Sequence, residues 1–404
     1  MLDLDFVRSH FPALASGYVY MDNAGGSQTL DLVADRIRDY LLSTDVQLGA
    51  SYEMSVRAGE RVDKGTAAVR ALVNAQHDEE IVMGSATSLN FKILSLCLSQ
   101  GWQEGDEVIV TNADHEANVS PWTALADQGI VIKTRKLDPE TWRYRIEDLE
   151  ALLRPKTKLV AFTHASNLLG GINPVRDIAD VVHANGSLVC VDGVAFAPHR
   201  AVDVQALDVD FYGFSFYKVY GPHYAVLYGK KHLLEALPSM NHYFIQSSPY
   251  KFQPGNVNFE FAWSMTGLIE YFHKLVEAST GKTAGSDREA VTRAYDLISN
   301  HEEKLSQRFL DFLNSKSSVR VIGDKDTARR VPTISFVVDH LDSEQVTLAC
   351  DPHRIGIRFG DFYAKKLIED HDLEDKKGVV RVSMVHYNTL GELDRLIEVL
   401  DGVL

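Results

Sequence analysis

The chain has 404 residues, 45% of them hydrophobic and 24% charged, with a formal net charge of −15. That is an ordinary globular composition, long enough for a large core and two or three domains. The acidic balance argues against nucleic-acid or anionic-membrane partners, and no apolar run approaches the length of a membrane span.

The opening Met1-Leu2-Asp3-Leu4-Asp5 has neither a basic nor an apolar leader region, so no secretory signal is expected. Cys97, Cys190 and Cys350 are odd in number, scattered and without metal-ligand spacing. The expectation is a cytoplasmic chain with no structural disulfide and no metal site.

Residues 1–20 hold a short amphipathic piece and an apolar one. Asp22-Asn23-Ala24-Gly25-Gly26-Ser27 breaks the pattern, and its paired glycines allow either a plain loop or close approach to a ligand. Residues 28–75 are helical in spacing. A strand at 80–83 then runs through Gly84-Ser85-Ala86-Thr87-Ser88 into an apolar helix from about Leu89. A strand, a small polar turn and a helix start form a ready anion site, although Thr87 or Ser88 also reads as an ordinary N-cap.

A strand at 107–110 leads to His115, whose imidazole could stack on a ring or carry protons. Strands at 131–135 and 159–163 follow, the second running into Ser166-Asn167-Leu168-Leu169-Gly170. A helix at 175–184 precedes the strand 188–191, and 211–214 and 225–228 are further strands. Alternation at βαβ spacing from about 80 to 230 implies a mostly parallel, helix-covered α/β sheet. Residues 240–262 read as an aromatic loop that lines a pocket or meets a partner subunit, and 263–315 as two or more helices. From about 318 the pattern becomes a small α+β unit. The implied division is an N-terminal segment 1–20 packing on the small domain, a large domain 21–262 and a small domain 263–404.

Two strand ends carry the chemistry. Val191-Asp192-Gly193 closes one apolar strand with an acid, and Ser215-Phe216-Tyr217-Lys218 closes the next with a lysine. In an open α/β sheet both side chains face the crevice at the carboxyl ends of the strands. An amine for a Schiff base and a carboxylate for a protonated pyridine nitrogen fit pyridoxal 5'-phosphate.

With these residues in hand, the chain resembles the fold-type I pyridoxal-phosphate enzymes of the class V aminotransferase family, in its cysteine desulfurase-like branch. Met21-Asp22-Asn23-Ala24-Gly25 resembles the family's opening motif, and Gly84–Ser88 leading to Asn90 its phosphate turn. His115-Glu116-Ala117-Asn118, the Ser166–Gly170 motif, Ala197-Pro198-His199, and Arg381 before Tyr387-Asn388-Thr389 are also in family style.

The resemblance implies roles. Lys218 would hold the cofactor and move protons, Asp192 would pair with the ring nitrogen, and His115 would stack on the ring. Ser85, Ala86, Thr87, Ser215 and Tyr217 would line the phosphate, with Gly255 and Asn256 reaching that of a neighbour in a homodimer. Asn167 and Ala195 would lie near the ring oxygen. Asn23, Ala24, Asn167, Tyr363 and Arg381 would meet the substrate, Arg381 as a fork for the α-carboxylate. His386, beside Tyr387-Asn388-Thr389, is an extra ionisable group that either faces the substrate or is a satisfied core or loop histidine.

Three departures stand out. The desulfurases carry a cysteine shortly after an arginine that corresponds to Arg358; here that position is Tyr363, which cannot form a persulfide. Ala195 stands where glutamine is common, and Tyr217 where histidine commonly precedes the lysine.

The chemistry implied is that a small amino acid displaces Lys218 to form an external aldimine, after which a bond at its α-carbon breaks. Lyase or transferase chemistry without a persulfide cysteine ranks first. Carbon–carbon bond formation, of decarboxylative aldol or Mannich type as in a specialised-metabolism branch that Val194-Ala195, Tyr217 and His386-Tyr387-Asn388-Thr389 resemble, ranks second. Transamination or epimerisation ranks third, and a non-catalytic binding relative is the alternative of a different class.

Overall fold

A computed structural model describes residues 1–404. Its centre is a seven-stranded sheet of β1 (Ile81–Gly84), β2 (Glu107–Thr111), β3 (Val131–Arg135), β4 (Thr157–Thr163), β5 (Leu188–Asp192), β6 (Phe211–Ser215) and β7 (Ala225–Gly229). The spatial order is β1-β7-β6-β5-β4-β2-β3. Strands β2 to β6 run parallel, and β7 is antiparallel to both of its neighbours. The expected mostly parallel α/β sheet is the one found.

Strand β6 is buried at every residue and β5 at all but Leu188, as strands covered on both faces must be. Their side chains alternate between two cores. Val189 and Val191 enter one with Ile178 and Val182, while Cys190 enters the other with Phe91, Leu94 and Trp122.

Around the sheet lie α1 (Asp31–Ser43), α2 (Glu53–Val73), α3 (Thr87–Ser99), α4 (Val175–Ala184) and α5 (Phe259–Thr280). The long α6 (Asp287–Asn314) leads to a second sheet of β8 (Val319–Ile322), β9 (Thr333–Val338), β10 (Arg358–Gly360) and β11 (Val379–Ser383). This sheet is antiparallel, in the order β10-β11-β9-β8, and α7 (Leu390–Asp401) packs on it.

The packing changes at a different place from the sequence division at 262/263. Helix α5 lies in the large core, with Met265, Leu268, Phe272 and Leu275 against the residues of α1, α2 and the sheet. The change falls inside α6. Ala290, Ala294 and Ile298 belong to the large core, and Leu305, Phe309 and Leu313 to the small one. An unbroken amphipathic helix shows the same periodicity on both sides of such a crossing. The N-terminal segment is also divided: Leu2, Val7, Phe11 and Leu14 join the large core. Val19–Tyr20 pairs in parallel with Ile355–Gly356, Arg8 meets Glu392 of α7 at 2.9 Å, and the Ser16 carbonyl accepts from Arg354 at 2.6 Å, so the same segment also packs on the small domain.

Candidate active site

Asp192 ends β5 at the carboxyl edge of the sheet. A Cβ on Gly193 would fall 2.1 Å from the Tyr212 ring, so the turn after Asp192 accepts only glycine. That turn brings the Val194 amide to Asp192 Oδ1 at 2.8 Å, and Asp192 lines the pocket. Strand β6 ends at Ser215, and one tight turn, Phe216–Lys218, returns the lysine to the same pocket. Burial raises the Asp192 carboxyl above its ordinary value, against the pull of the Val194 amide and Lys218. Burial and then Arg381 lower the Lys218 amine.

His115 forms one wall, its Nδ1 accepting the Ala117 amide at 3.0 Å, which leaves the ring proton on Nε2. Burial, followed by the charges of Lys218 and Arg381, lowers it to about 4, so the imidazole is neutral. Asn167 forms another wall and donates from Nδ2 to the Phe362 carbonyl at 2.8 Å. Where α3 begins, Thr87 and Ser215 share a hydrogen bond of 2.6 Å between hydroxyls. Tyr217 lines the same side and stacks on His223.

Arg381 lies at the domain junction. Its Nη2 donates to Asp22 at 2.6 Å, its Nη1 to the Asn167 carbonyl at 3.1 Å, and the Phe362 ring covers the guanidinium at 3.7 Å. Its Nε is buried without a partner. A buried donor left open in a fork is what an incoming carboxylate would satisfy.

Several expected residues lie elsewhere. His386 is fully buried among Phe11, Tyr220 and Tyr271, with Nε2 2.7 Å from the Tyr271 hydroxyl. It is a core histidine, since its ring fills an aromatic cluster instead of facing substrate. Asn23 is consumed in tying the domains: its Nδ2 donates to the carbonyls of Tyr20 and Ser383, each at 2.9 Å, and its Oδ1 accepts from Tyr387. The Ala24 amide is held by Ser383 Oγ at 2.8 Å. Ser85 and Ala86 are exposed at the start of α3, outside the pocket lining. Gly255 and Asn256 are exposed and remote from it within one chain, Asn256 bonding to Gln47 at 3.0 Å. Tyr363 stands at the rim, its ring 5.1 Å from that of His115. Ala195 lines the pocket as expected.

Sequence reasoning missed Ser88, Ala117, Thr163 and Val194 on the lining. Ser88 and Val194 are adjacent to expected residues, and the direction in which a turn faces decides between neighbours. Asp22 and Phe362 were also missed as partners of Arg381, because both contacts join distant parts of the chain.

The aminotransferase class-V family model matches residues 19–396. The chain belongs to that family. It is similar to the aminotransferase-like protein FGM3 of Gibberella zeae, at 42% identity over 99% of this chain and 98% of that one. It is similar to the cysteine desulfurase-like protein ustD of Aspergillus flavus, at 34% over 100% and 91%. The crystal structure of the Escherichia coli cysteine desulfurase CsdA superposes with a TM-score of 0.84 at 25% identity, covering 100% of this chain and 98% of that one.

The family's cofactor is pyridoxal phosphate, and the residues present fit it. A buried amine and a buried carboxylate open into one pocket, with a neutral imidazole as a flat wall and a pair of hydroxyls at a helix start on the phosphate side. No helix of the chain is long and apolar enough to cross a membrane.

Proposed function

We propose that this class V enzyme carries out lyase or transferase chemistry on a small amino acid without a persulfide-forming cysteine. The observation that carries this reading is the residue at the pocket rim after Arg358. It is Tyr363, and Cys97, Cys190 and Cys350 are all buried away from the pocket. Burial pushes the Cys97 thiol up to about 11 and Cys350 to about 12, the reverse of what a sulfur-accepting thiolate needs.

Bound pyridoxal phosphate supplies an electron sink for the bond broken at the substrate's α-carbon. Asp192 would hold its carboxylate toward the ring nitrogen. Arg381 would take the α-carboxylate on its open Nε while Asp22 and Asn167 fix the guanidinium plane, which sets the bond that stands out of the ring plane. Lys218, with its lowered amine, would accept and return protons near neutral pH. His115, neutral and fixed, would be a surface for the ring and not a charge. A homodimer would cover the exposed Tyr243 and Phe244 and bring the Gly255–Asn256 loop to a neighbouring pocket. A cytoplasmic setting fits the three free cysteines.

Carbon–carbon bond formation is the second reading. Tyr363 is 66% exposed at the rim, its ring 5.1 Å from that of His115, which leaves an open side from which an electrophile could approach.

The test is an absorbance titration of the purified protein with cysteine, cysteine sulfinate and O-acetylhomoserine, with products followed by mass spectrometry. One amino acid that shifts the cofactor band and yields an eliminated or substituted product supports the first reading. A product carrying an added carbonyl compound supports the second. A persulfide on the protein contradicts both.

A further inference from the structure

A second cavity, of about 390 Å³, lies behind the wall of the active site, between the loops that follow β2, β3 and β4 and the small domain. Thr163 belongs to both cavities. Its hydroxyl is committed to the Ala165 carbonyl at 2.6 Å and the Asp192 carbonyl at 3.2 Å, so it acts as a partition.

The lining is mixed, and its apolar part is made by Leu137, Trp142 and Tyr144 from one loop and Leu169 and Ile172 from another. Trp142 holds a φ of 58°, a conformation rare for a bulky residue, and its ring lies tilted against that of His371, the centroids 4.6 Å apart. That backbone places an indole against a space that no side chain of the chain fills.

The charges around this space do not cancel. Arg143 and Arg329 at the rim both grip the single carboxylate of Asp324, and Arg329 also meets Asp326 at 2.9 Å. Behind Leu169 the guanidinium of Arg330 is 1% exposed. It donates to the backbone carbonyls of Asp324, Leu169 and Thr333, with no carboxylate in ion-pair range. The lining therefore carries two cations, Arg143 and Arg329, against the one carboxylate of Asp324, with Arg330 behind it, in a chain whose net charge is −15. A buried cation held only by carbonyl dipoles leaves positive potential in the apolar space beside it.

We propose that this cavity is a second ligand site, for a small molecule with an apolar body and one carboxylate. The body would lie between Trp142, Tyr144 and Leu169, and the carboxylate would turn toward Arg143 and Arg329. Such a ligand touches Thr163 and Ser166, next to Asn167 in the active-site wall. The site stands independently of the reaction proposed above.

Calorimetric titration of the holoenzyme with 4-phenylbutyrate, and in parallel with neutral 4-phenyl-1-butanol, tests this. The expected result is saturable binding of the acid, with the alcohol weaker by about tenfold or more, the loss of one charge-assisted contact. Binding of the acid is lost when either Ile172→Trp or Ala328→Trp fills the space in protein of unchanged circular dichroism. Ala328 is exposed, so its replacement spares the core should Ile172→Trp fail to fold. No heat at millimolar acid, equal binding of the alcohol, or binding that survives both fillings would overturn the proposal. The last of these would place the acid at Arg381 instead.

Discussion

Arg381 Nη2 lies 2.6 Å from Asp22 Oδ1, tying the last strand of the small domain to the loop that opens the large one. The arginine side chain is 2% exposed and the aspartate 30%. Asp22 thus both neutralises a buried guanidinium and fixes its plane, joining the domains beside the contacts of Asn23, and in the proposed reaction it would also orient the carboxylate fork.

Asp22→Asn keeps the shape and removes the charge. Urea unfolding should show a loss of about 1–3 kcal/mol, the cost of leaving a buried charge with a weaker partner. Steady-state kinetics should show KM for the amino acid rising by about tenfold, with a smaller fall in kcat, because the carboxylate fork is misaligned before chemistry begins. Unchanged KM would mean that Arg381 does not hold the substrate.

The thiols offer a second check. Cys97 and Cys350 are 1% and 0% exposed and Cys190 is 0% exposed. Treatment of the native enzyme with N-ethylmaleimide should leave both its mass and its turnover unchanged. Modification accompanied by inactivation would point to a cysteine that works in the reaction.

The pH dependence of stability follows from His115. Its folded value, about 4, lies below the ordinary imidazole value of 6.5, so between these limits the unfolded chain binds more protons. Stability from this group is complete above pH 6.5 and is lost as pH falls toward 4. At pH 5 the loss should be about 2 kcal/mol relative to pH 7. The raised carboxyl of Asp192 acts in the opposite sense, gaining stability as pH falls, and so masks part of it. Comparing cofactor-free wild type with His115→Gln by urea unfolding at pH 7 and pH 5 isolates the term. The variant should lose less on acidification.

Of the two roles open to His386, the structure shows the core one. His386→Phe should keep KM and kcat, because the ring fills an aromatic cluster, while a change in melting temperature reports the lost bond to the Tyr271 hydroxyl. A large rise in KM would return His386 to the site.

What was legible in the chain follows the range of the interactions. Strands β5 and β6 are buried on both faces, so each appears as an apolar run, and the acid and lysine closing them stand out without any contact information. His115 and Asn167 lie in the loops after strands that end at Thr111 and Thr163, and the family-style motifs around them are what single them out. The neighbours of His386 come from residues 11, 220 and 271, which no local pattern connects. The same holds for α5. Its periodicity announces a helix but does not say that the apolar face packs on α1 and α2 instead of the small domain.

The measurement that bears most directly on the central claim is borohydride reduction of the purified, cofactor-loaded protein, followed by peptide mass mapping, with Lys218→Ala in parallel. A single pyridoxyl adduct on Lys218, together with a visible absorbance band absent from the variant, is the predicted result. An adduct on another lysine, or no adduct and no band after pyridoxal phosphate is added, would contradict the placement of the chemistry at the end of β6.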